Sequence, residues 1–505
     1  MHTINSHRYN ASAPDDSTAL IMEWDTRNTS GSDTDSFSVV LPLVANLTID
    51  ITVQWEEGVV ENFTSTNDLN LFHTYLTEGI KTIKVWRNDG LGDIGFTFNH
   101  APSDRRDYKK ILDISQFGNV TMFQPNTSRQ RQFHNCSNLQ ITATDVYENC
   151  ISGSPYLKGY FRGTDITTLY NSANWDMSHV TNTSEMFIAC STLDIDVTLW
   201  DMSSCTAMNG MFQQCGSLNP NVENWNITAC TNFTAMFNVL PNFNRDLGGW
   251  ILNTTSNVSI ANLFASCSSF TGQGLDLWDT QRVTNMQYTF SNTDNLDVTK
   301  ILNWNTSKVV TFFRCFQSND SLGSADFSSW NVSSCTNFQQ MFRLSDFSGS
   351  VSGWTLKPSA SINCRQMFQD CDNFNGDMNG WTNTASITNI SYMLSGCHNY
   401  NQSLSNWDTS NITTFAYFLN TCNIFNQDLS SWNFTSATSM LFFGNSWNMS
   451  QANIDALLIT LSAQVLAPSL VTTFTGNYTL GGLAEAAYID LTTVDLWTIN
   501  GLTGV

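Results

Sequence analysis

The sequence has few charged residues, and cations are the scarcer kind. Only 13% of its 505 residues are charged, and 21 Lys and Arg stand against 43 Asp and Glu, for a formal net charge of −22. Binding to nucleic-acid phosphates or to an anionic membrane surface requires clustered cations, so the composition argues against both partners. The one small basic cluster, Arg105-Arg106 with Lys109-Lys110, is interpreted as a solvated face at a domain junction.

Long apolar runs and catalytic motifs are also missing. No stretch is long enough to span a membrane, and residues 1–20 contain no apolar segment typical of a secretion signal. The seven His are scattered, and no Gly-Lys-Ser/Thr loop, His-Glu-x-x-His or Gly-x-Ser-x-Gly occurs. We therefore expect no enzyme activity, no catalytic or metal-binding residues and no cofactor. The alternative enzyme class is a polysaccharide hydrolase, which would need convergent carboxylates on one face.

What the sequence does contain is a repeat of about 26 residues. Its tryptophans recur at steps of 24 to 28 residues, and a second large apolar residue follows each about twelve positions later. The first column consists of Trp175, Trp200, Trp225, Trp250, Trp278, Trp304, Trp330, Trp354, Trp381, Trp407 and Trp432. The second consists of Phe133, Phe161, Phe187, Phe212, Phe237, Phe264, Phe290, Phe316, Phe342, Phe368, Leu394, Leu419 and Phe443. One unit cannot bury its own apolar face, so the pattern predicts a solenoid of about thirteen stacked turns.

The local pattern of one unit predicts a short strand, a turn and a short helical turn. In the unit after Trp200, the apolar residues Cys205, Met208, Met211 and Phe212 are spaced by three and four, the spacing of a helix face. The segment before each Trp favours a strand. We expect both aromatic columns to be buried core and not carbohydrate-stacking platforms.

The repeat string resembles a known family. Trp175-Asp176-Met177-Ser178-His179-Val180-Thr181, running to Met186-Phe187, is similar to the BspA-like surface-protein repeat (DUF285), which is related to leucine-rich repeats. The resemblance covers roughly residues 130 to 447. It implies a curved, leucine-rich-repeat-like solenoid used in adhesion or display, on cell surfaces or in some large viruses. The many cysteines depart from the family pattern.

The flanking segments predict two further domains. Residues 17–100 alternate apolar and polar positions in short runs, as in a β-sandwich, and the strings 54–58 and 73–75 resemble a diverged PKD-type domain. Residues 448–505 predict two helices, the first capped by Ser450, and a final strand that together close the solenoid. The predicted division is 1–16 arm, 17–100 PKD-like β-sandwich, 101–130 junction, 131–447 repeat solenoid and 448–505 α/β cap.

Two interpretations of the cysteines stand side by side. Several share one column, three residues after the Phe, and adjacent turns bring such residues within disulfide range. The alternative is a small buried residue that fills an alanine-sized slot. The disulfide candidates are Cys190, Cys215, Cys205, Cys230, Cys371, Cys397 and Cys422.

Two polar features complete the unit. In most units the residue after the Trp is either Asp (Asp201, Asp408) or Asn (Asn226, Asn331), which favours a turn-forming hydrogen bond over a catalytic acid, with a weak calcium site as the alternative. The chain is also rich in Asn-x-Ser/Thr acceptor sequences for N-glycosylation. The candidates are Asn46, Asn119, Asn226, Asn331, Asn411 and Asn433.

These observations leave two functional hypotheses. The first is an extracellular or surface-displayed protein that mediates adhesion through binding to a protein or glycan surface. The alternative is a structural subunit of a virion fibre, appendage or filament that binds copies of itself. Both place the protein outside the cell, on a cell surface or on a virion surface, and neither involves nucleic acid or a membrane span.

Overall fold

The repeats form a β-solenoid of about 14 turns with few helices. The computed structural model describes residues 14–29, 34–45, 49–56, 59–65, 69–88, 94–96, 107–120, 122, 132–145 and 156–505. The chain divides into two compact units, one comprising residues 1–245 with 249–251 and the other 246–248 with 252–505. The division falls inside the repeat array, so each unit contains part of it.

The first unit begins with two sheets whose strands are mostly antiparallel. The strands are β1 (Leu20–Asp25), β2 (Ser38–Ala45), β3 (Ile49–Glu56), β4 (Val59–Ser65), β5 (Leu69–Thr74), β6 (Ile80–Arg87), β7 (Ile94–Phe96), β8 (Ile111–Gln116) and β9 (Gln140–Ile141). One sheet has the order β4-β3-β6-β1-β8-β9 and the other β5-β2-β7. Trp55 of β3 stacks on His73 of β5 at 4.9 Å, and the Tyr75 hydroxyl donates to the Trp55 carbonyl at 3.2 Å. Residues of the PKD-like pattern, one in each sheet, are therefore in contact with each other.

The predicted junction, residues 101–130, contains β8, which pairs antiparallel with β1 and parallel with β9. It also contains Lys110, whose side chain is fully buried. Its ammonium group donates to the hydroxyl of Thr34 at 2.6 Å and to the carbonyls of Asp35 and Ser38 at 2.6 and 2.8 Å. The interpretation as a solvated face is wrong for Lys110, because three acceptors and the Asp107 carboxylate, 4.0 Å away, replace water. Arg105 and Arg106 lie outside the described residues.

Successive solenoid turns are joined by very short parallel pairings. The strands are β10 (Val258–Ser259) with β11 (Val283–Asn285), and β12 (Ile362–Asn363) with β13 (Ile387–Asn389). Elsewhere isolated parallel β-bridges connect successive turns, for example from Asn182 to Ala207 and from Ala207 to Asn232. Each of these paired residues therefore bonds to the residue at the equivalent position one repeat later. Within the described ranges, single 3-10 turns lie at Asp16–Thr18, Ser172–Asn174, Leu275–Leu277, Val298–Lys300 and Thr384–Ser386.

The predicted helical turn is wrong: the segment around each Phe is a chain of β-turns. In the turn at Phe187, the N–H groups of Met186, Ile188 and Cys190 each bond to the carbonyl three residues before. The alternate N–H groups, those of Glu185, Phe187 and Ala189, instead donate to carbonyls of the next turn at 2.7 to 2.9 Å. Half of the backbone groups thus close local turns and half bind the neighbouring turn, which a helix could not do.

The aromatic columns are buried and stacked, as predicted. In the first unit Trp175, Trp200 and Trp225 lie 5.9 and 6.1 Å apart in nearly parallel planes, and in the second unit Trp278 and Trp304 lie 5.8 Å apart. Ten indole N–H groups, from Trp200 to Trp432, donate to a carbonyl of the preceding turn at 2.6 to 3.3 Å. Stacking and hydrogen bonding together fix the register of the turns.

The second column differs from its predicted register at one end. Leu419 donates its backbone N–H to the carbonyl of Phe443, whereas Phe212 donates to Met236, the residue before Phe237. Phe443 is therefore the equivalent of Met236, and Gly444 takes the position of the Phe. The ring of Trp447 fills the space, since a Cβ on Gly444 would lie 2.3 Å from it.

The second unit ends with two helices and a parallel sheet. These are α1 (Gln451–Ser462), α2 (Leu483–Thr493), β14 (Met440–Gly444), β15 (Val471–Tyr478) and β16 (Thr498–Gly504), with sheet order β14-β15-β16. Ser450 begins α1 by accepting the N–H of Asn453 at 3.3 Å, the predicted cap. No helix among the described residues is long and apolar enough to cross a membrane.

Candidate functional site

All twelve cysteines in the described part of the chain are free and buried, so the predicted disulfides are not formed. This applies to Cys190, Cys215, Cys205, Cys230, Cys371, Cys397 and Cys422. Burial raises the pKa of the Cys190 thiol to about 11. Such thiols are poor nucleophiles, and the alternative interpretation as small core residues fits the structure.

The cysteine column has a specific hydrogen-bonding role. The thiols of Cys190, Cys215 and Cys371 each donate to the carbonyl of the Phe one turn earlier, at 2.9 to 3.0 Å. At the equivalent position of other turns, the hydroxyl of Thr293 and the amide of Asn319 donate to the same carbonyl at 2.9 and 3.0 Å. Most turns have a small hydrogen-bond donor at this position, with Leu240 as an exception, and each of these three sulfurs points toward a carbonyl and not toward another sulfur.

The Asp or Asn that follows a Trp in most units accepts a hydrogen bond in a turn, as predicted. The carboxylate of Asp408 accepts the N–H of Ser410 at 3.0 Å, and the amide oxygen of Asn331 accepts that of Ser333 at 3.0 Å. Hydrogen bonds from the Ser410 side chain and backbone lower the pKa of Asp408. Among the described residues, no group of three or more His, Cys, Asp or Glu is arranged to hold a metal ion.

Most candidate glycosylation sites lie on the surface. Asn119, Asn226, Asn331, Asn411 and Asn433 are exposed, and Asn46 lies outside the described residues. In Asn331 the turn uses the side-chain oxygen and not the amide nitrogen, which is the atom that would carry a glycan. The amide nitrogen of Asn411 instead donates to the Ala385 carbonyl at 2.9 Å.

A polar groove of about 610 Å³ lies on the first unit. Two of its charged side chains bind the protein itself: the Asp196 carboxylate accepts the N–H and hydroxyl of Thr198, and the Arg245 guanidinium donates to the Asn219 carbonyl at 2.8 Å. Little recognition capacity remains there.

The most distinctive surface is formed by the β-turns themselves. In each turn the residue two before the Phe position has a positive φ, and so does the residue two after it. For a non-glycine residue this left-handed conformation costs roughly 1–2 kcal/mol. The second of these columns includes small polar residues, such as Ser266, Asn292 and Ser318. In the second unit the first column consists mostly of large side chains, although glycine would be the least strained residue at these positions.

We call this first column the turn ladder. It runs over seven consecutive turns of the second unit and consists of Tyr288, Arg314, Gln340, Gln366, Tyr392, Tyr417 and Phe442. Large side chains kept at seven strained positions point to a role other than stability, because strain of this kind persists mainly where it serves function.

One half of the turn ladder is a hydrogen-bonded network. The Arg314 guanidinium donates to the Tyr288 hydroxyl at 2.7 Å and to the side-chain oxygen of Gln340. Gln340, only 6% exposed, donates in turn to the side-chain oxygen of Gln366 at 2.9 Å. Gln366 then donates to the side-chain oxygen of Gln369 at 2.6 Å. Each long side chain is thereby held in one geometry before any partner arrives.

The other half is a stack of aromatic rings. Tyr392 and Tyr417 lie 4.4 Å apart and nearly parallel, and Tyr417 and Phe442 lie 4.9 Å apart. All three are half-buried. Because the ring faces cover one another, the stack presents ring edges and tyrosine hydroxyls to a partner.

Arginines concentrate beside the turn ladder. Arg314, Arg343 and Arg365 lie on three consecutive turns, and after residue 365 the sequence has no Lys or Arg at all. In the described part of the chain, no carboxylate lies within ion-pair distance of these three guanidiniums. In the first unit, by contrast, Glu185 on the same column is paired with Arg162 and lies 3.9 Å from Lys158. These three guanidiniums are thus not held by ion pairs, and the carboxylate of Asp370 acts on Arg343 only through space.

Sequence reasoning missed the turn ladder because it assigned this segment to a helix. One signal was available: three arginines, each within three residues of the Phe of three successive turns, in a chain with few cations.

Comparison with known proteins gives one match. The family model described as "Mycoplasma protein of unknown function, DUF285" matches residues 156–260, 258–381 and 362–456. No curated protein and no solved structure matches the chain.

Proposed function

Because the chain belongs to the DUF285 repeat family, we propose that it is a surface-displayed or extracellular protein that binds another extended surface through its solenoid. The observation that carries this proposal is the turn ladder, a row of seven large side chains in strained positions. Similar side chains repeated turn after turn suit multivalent contact, in which weak individual contacts add up to firm attachment. Catalysis is not part of the proposal.

The flanking segments have supporting roles in this proposal. The two N-terminal sheets act as a PKD-like β-sandwich that spaces the solenoid from its point of attachment. Residues 448–505 act as an α/β cap, with the apolar side of α1, including Leu457 and Leu461, buried. Such atypical ends are what solenoids require to shield their last core face.

Binding of the intact chain to arrays of glycans and matrix proteins tests the proposal. We expect binding, and we expect Tyr417→Ala to weaken it at least about fivefold, since removal of an interface residue that contributes more than about 1 kcal/mol has that effect. Tyr170→Ala is the matched control, because Tyr170 is 52% exposed but is not a residue of the turn ladder. Equal effects of the two substitutions, or no binding by the intact chain, would contradict the proposal.

The alternative function, a structural subunit, is favoured by the exposed last strand. β16 is the edge of its sheet, and Leu496 and Val505 near it are 62% and 55% exposed. An open edge can pair with another chain. Electron microscopy of protein from its natural source separates the functions, because a regular lattice or filament would replace the adhesion proposal by this one.

Surface location also predicts glycosylation if the source is eukaryotic or infects eukaryotes. Mass spectrometry of native protein should find a glycan on exposed Asn331 and none on Asn319, which also begins an Asn-x-Ser sequence. Asn319 is fully buried and its amide donates to two carbonyls, those of Phe290 and Thr293. An unmodified Asn331 in native protein would remove this support for export.

A further inference from the structure

We infer that the turn ladder binds a linear anionic polysaccharide, whose carboxylate or sulfate groups meet Arg314, Arg343 and Arg365. The inference rests on the proposed function and names the chemical class of its ligand. It starts from the charge: this chain has a net charge of −22, yet these three guanidiniums have no carboxylate within ion-pair distance among the described residues. Asp370 acts on Arg343 only through space, and burial raises the pKa of its carboxyl.

The guanidiniums are partly fixed in place. The Arg314 group lies 5.3 Å from the Tyr288 ring centre and 5.0 Å from that of Phe313, and Arg343 donates to the side-chain oxygen of Gln369 at 3.1 Å. Arg365 is exposed. Planar guanidiniums held this way suit two-point hydrogen bonding to carboxylate or sulfate.

The spacing fits a polymer. Adjacent turns of a parallel β-stack lie about 4.8 Å apart, and the three arginines belong to three consecutive turns, at different positions relative to the buried Phe of each turn. Their charges are therefore distributed over three neighbouring turns. A single small anion would engage only one of them. A chain with one charge every sugar or every second sugar engages several at once.

The uncharged neighbours favour a ligand rich in hydroxyl groups. The hydroxyls of Tyr392 and Tyr417 at the stacked end can both donate and accept.

An acidic peptide fits this surface less well. Peptides commonly bind by adding a strand to an open sheet edge. Here the alternate backbone N–H groups already donate to backbone carbonyls of the next turn. Those of Gln340 and Phe342, for example, donate to the carbonyls of Arg365 and Met367 at 3.0 and 2.9 Å. The backbone of this face is occupied, so recognition must come from side chains.

The test measures binding of the intact chain to three polymers by isothermal titration calorimetry: heparin, polygalacturonate and neutral dextran. We expect an anionic polymer to bind, dextran not to bind, and affinity to fall as salt rises from 20 to 150 mM, since exposed charges are screened. Arg365→Gln should weaken binding about three- to fivefold. Lys308→Gln, which removes the same charge from an exposed site elsewhere on the second unit, should leave it unchanged.

The outcomes separate this inference from the proposed function. Binding to dextran or to a matrix protein without binding to either anionic polymer would overturn the inference and leave the proposed function standing. Equally tight binding of polyglutamate would replace the polysaccharide by an acidic protein. Equal loss in Arg365→Gln and Lys308→Gln would show a general charge effect and refute the site. Failure to bind any surface would remove both.

Discussion

Replacing Phe212 with alanine should lower the free energy of unfolding by about 3–5 kcal/mol. Phe212 is fully buried and lies between the parallel rings of Phe187 and Phe237, at 5.8 and 6.3 Å. Its removal leaves a cavity that neighbouring turns cannot fill, because hydrogen bonds on both sides fix their separation. Chemical denaturation followed by tryptophan fluorescence measures the loss, with the buried indole column as the probe.

Leu199→Ala is the control for this experiment. Leu199 is 68% exposed beside buried Trp200, so its loss should change stability by less than about 0.5 kcal/mol. Because the two units need not unfold together, the transition of the first unit is the one to compare. A loss below about 1 kcal/mol for Phe212→Ala would mean that the column is not the core of the solenoid.

Lys110→Met should destabilise the first unit by about 3–5 kcal/mol, the usual cost of removing one partner from a buried charged group. The substitution leaves the carbonyls of Asp35 and Ser38 without the ammonium donor, and it leaves the buried Asp107 carboxylate without its cation. Burial lowers the pKa of Lys110, and the nearby carboxylates oppose this. The three acceptors lie within 2.8 Å of the Lys110 ammonium nitrogen. The side chain therefore links the segment of residues 34–38 to the loop that precedes β8 through hydrogen bonds.

Lys109→Met provides the comparison, since Lys109 is the adjacent residue, carries the same charge and is half-buried. Thermal unfolding followed by circular dichroism should show a clear shift for Lys110→Met and little for Lys109→Met. Equal shifts would mean that the hydrogen bonds of Lys110 contribute nothing beyond its charge.

The sequence predicted the two aromatic columns because they are set by burial. Tryptophan is rare, and a spacing of 24 to 28 residues between Trp residues and between Phe residues can be recognised whichever secondary structure is assigned to the segments between them. The Asp/Asn step was predictable for a similar reason: both side chains accept a hydrogen bond from the backbone two residues later.

The β-turn chain was not predictable from local rules. Those rules expect Gly or Asn where φ is positive, yet Glu185, Tyr288 and Arg314 occupy such positions. Hydrogen bonds to the next turn override the local preference. Met208, Met211 and Phe212 would face the core in a helix as well as in a chain of β-turns, so their spacing in the sequence could not distinguish the two.

The disulfides were mispredicted because separation between turns is only one requirement. Cys190 and Cys215 lie on adjacent turns, but each thiol hydrogen is used by a carbonyl of the preceding turn. The presence of Thr, Ser and Asn at the same position of other turns was the sequence signal that this position favours a hydrogen-bond donor over a crosslink.

The inter-turn hydrogen bonds also determine how the chain can fold. Phe212 bonds to Met236 and Phe342 to Met367, so contacting residues in the array are about one repeat apart in sequence, however many repeats precede them. Contact order is therefore low for so long a chain, and low contact order accompanies fast folding. During synthesis each turn can dock as soon as the next 25 or so residues have left the ribosome, without waiting for the C-terminus.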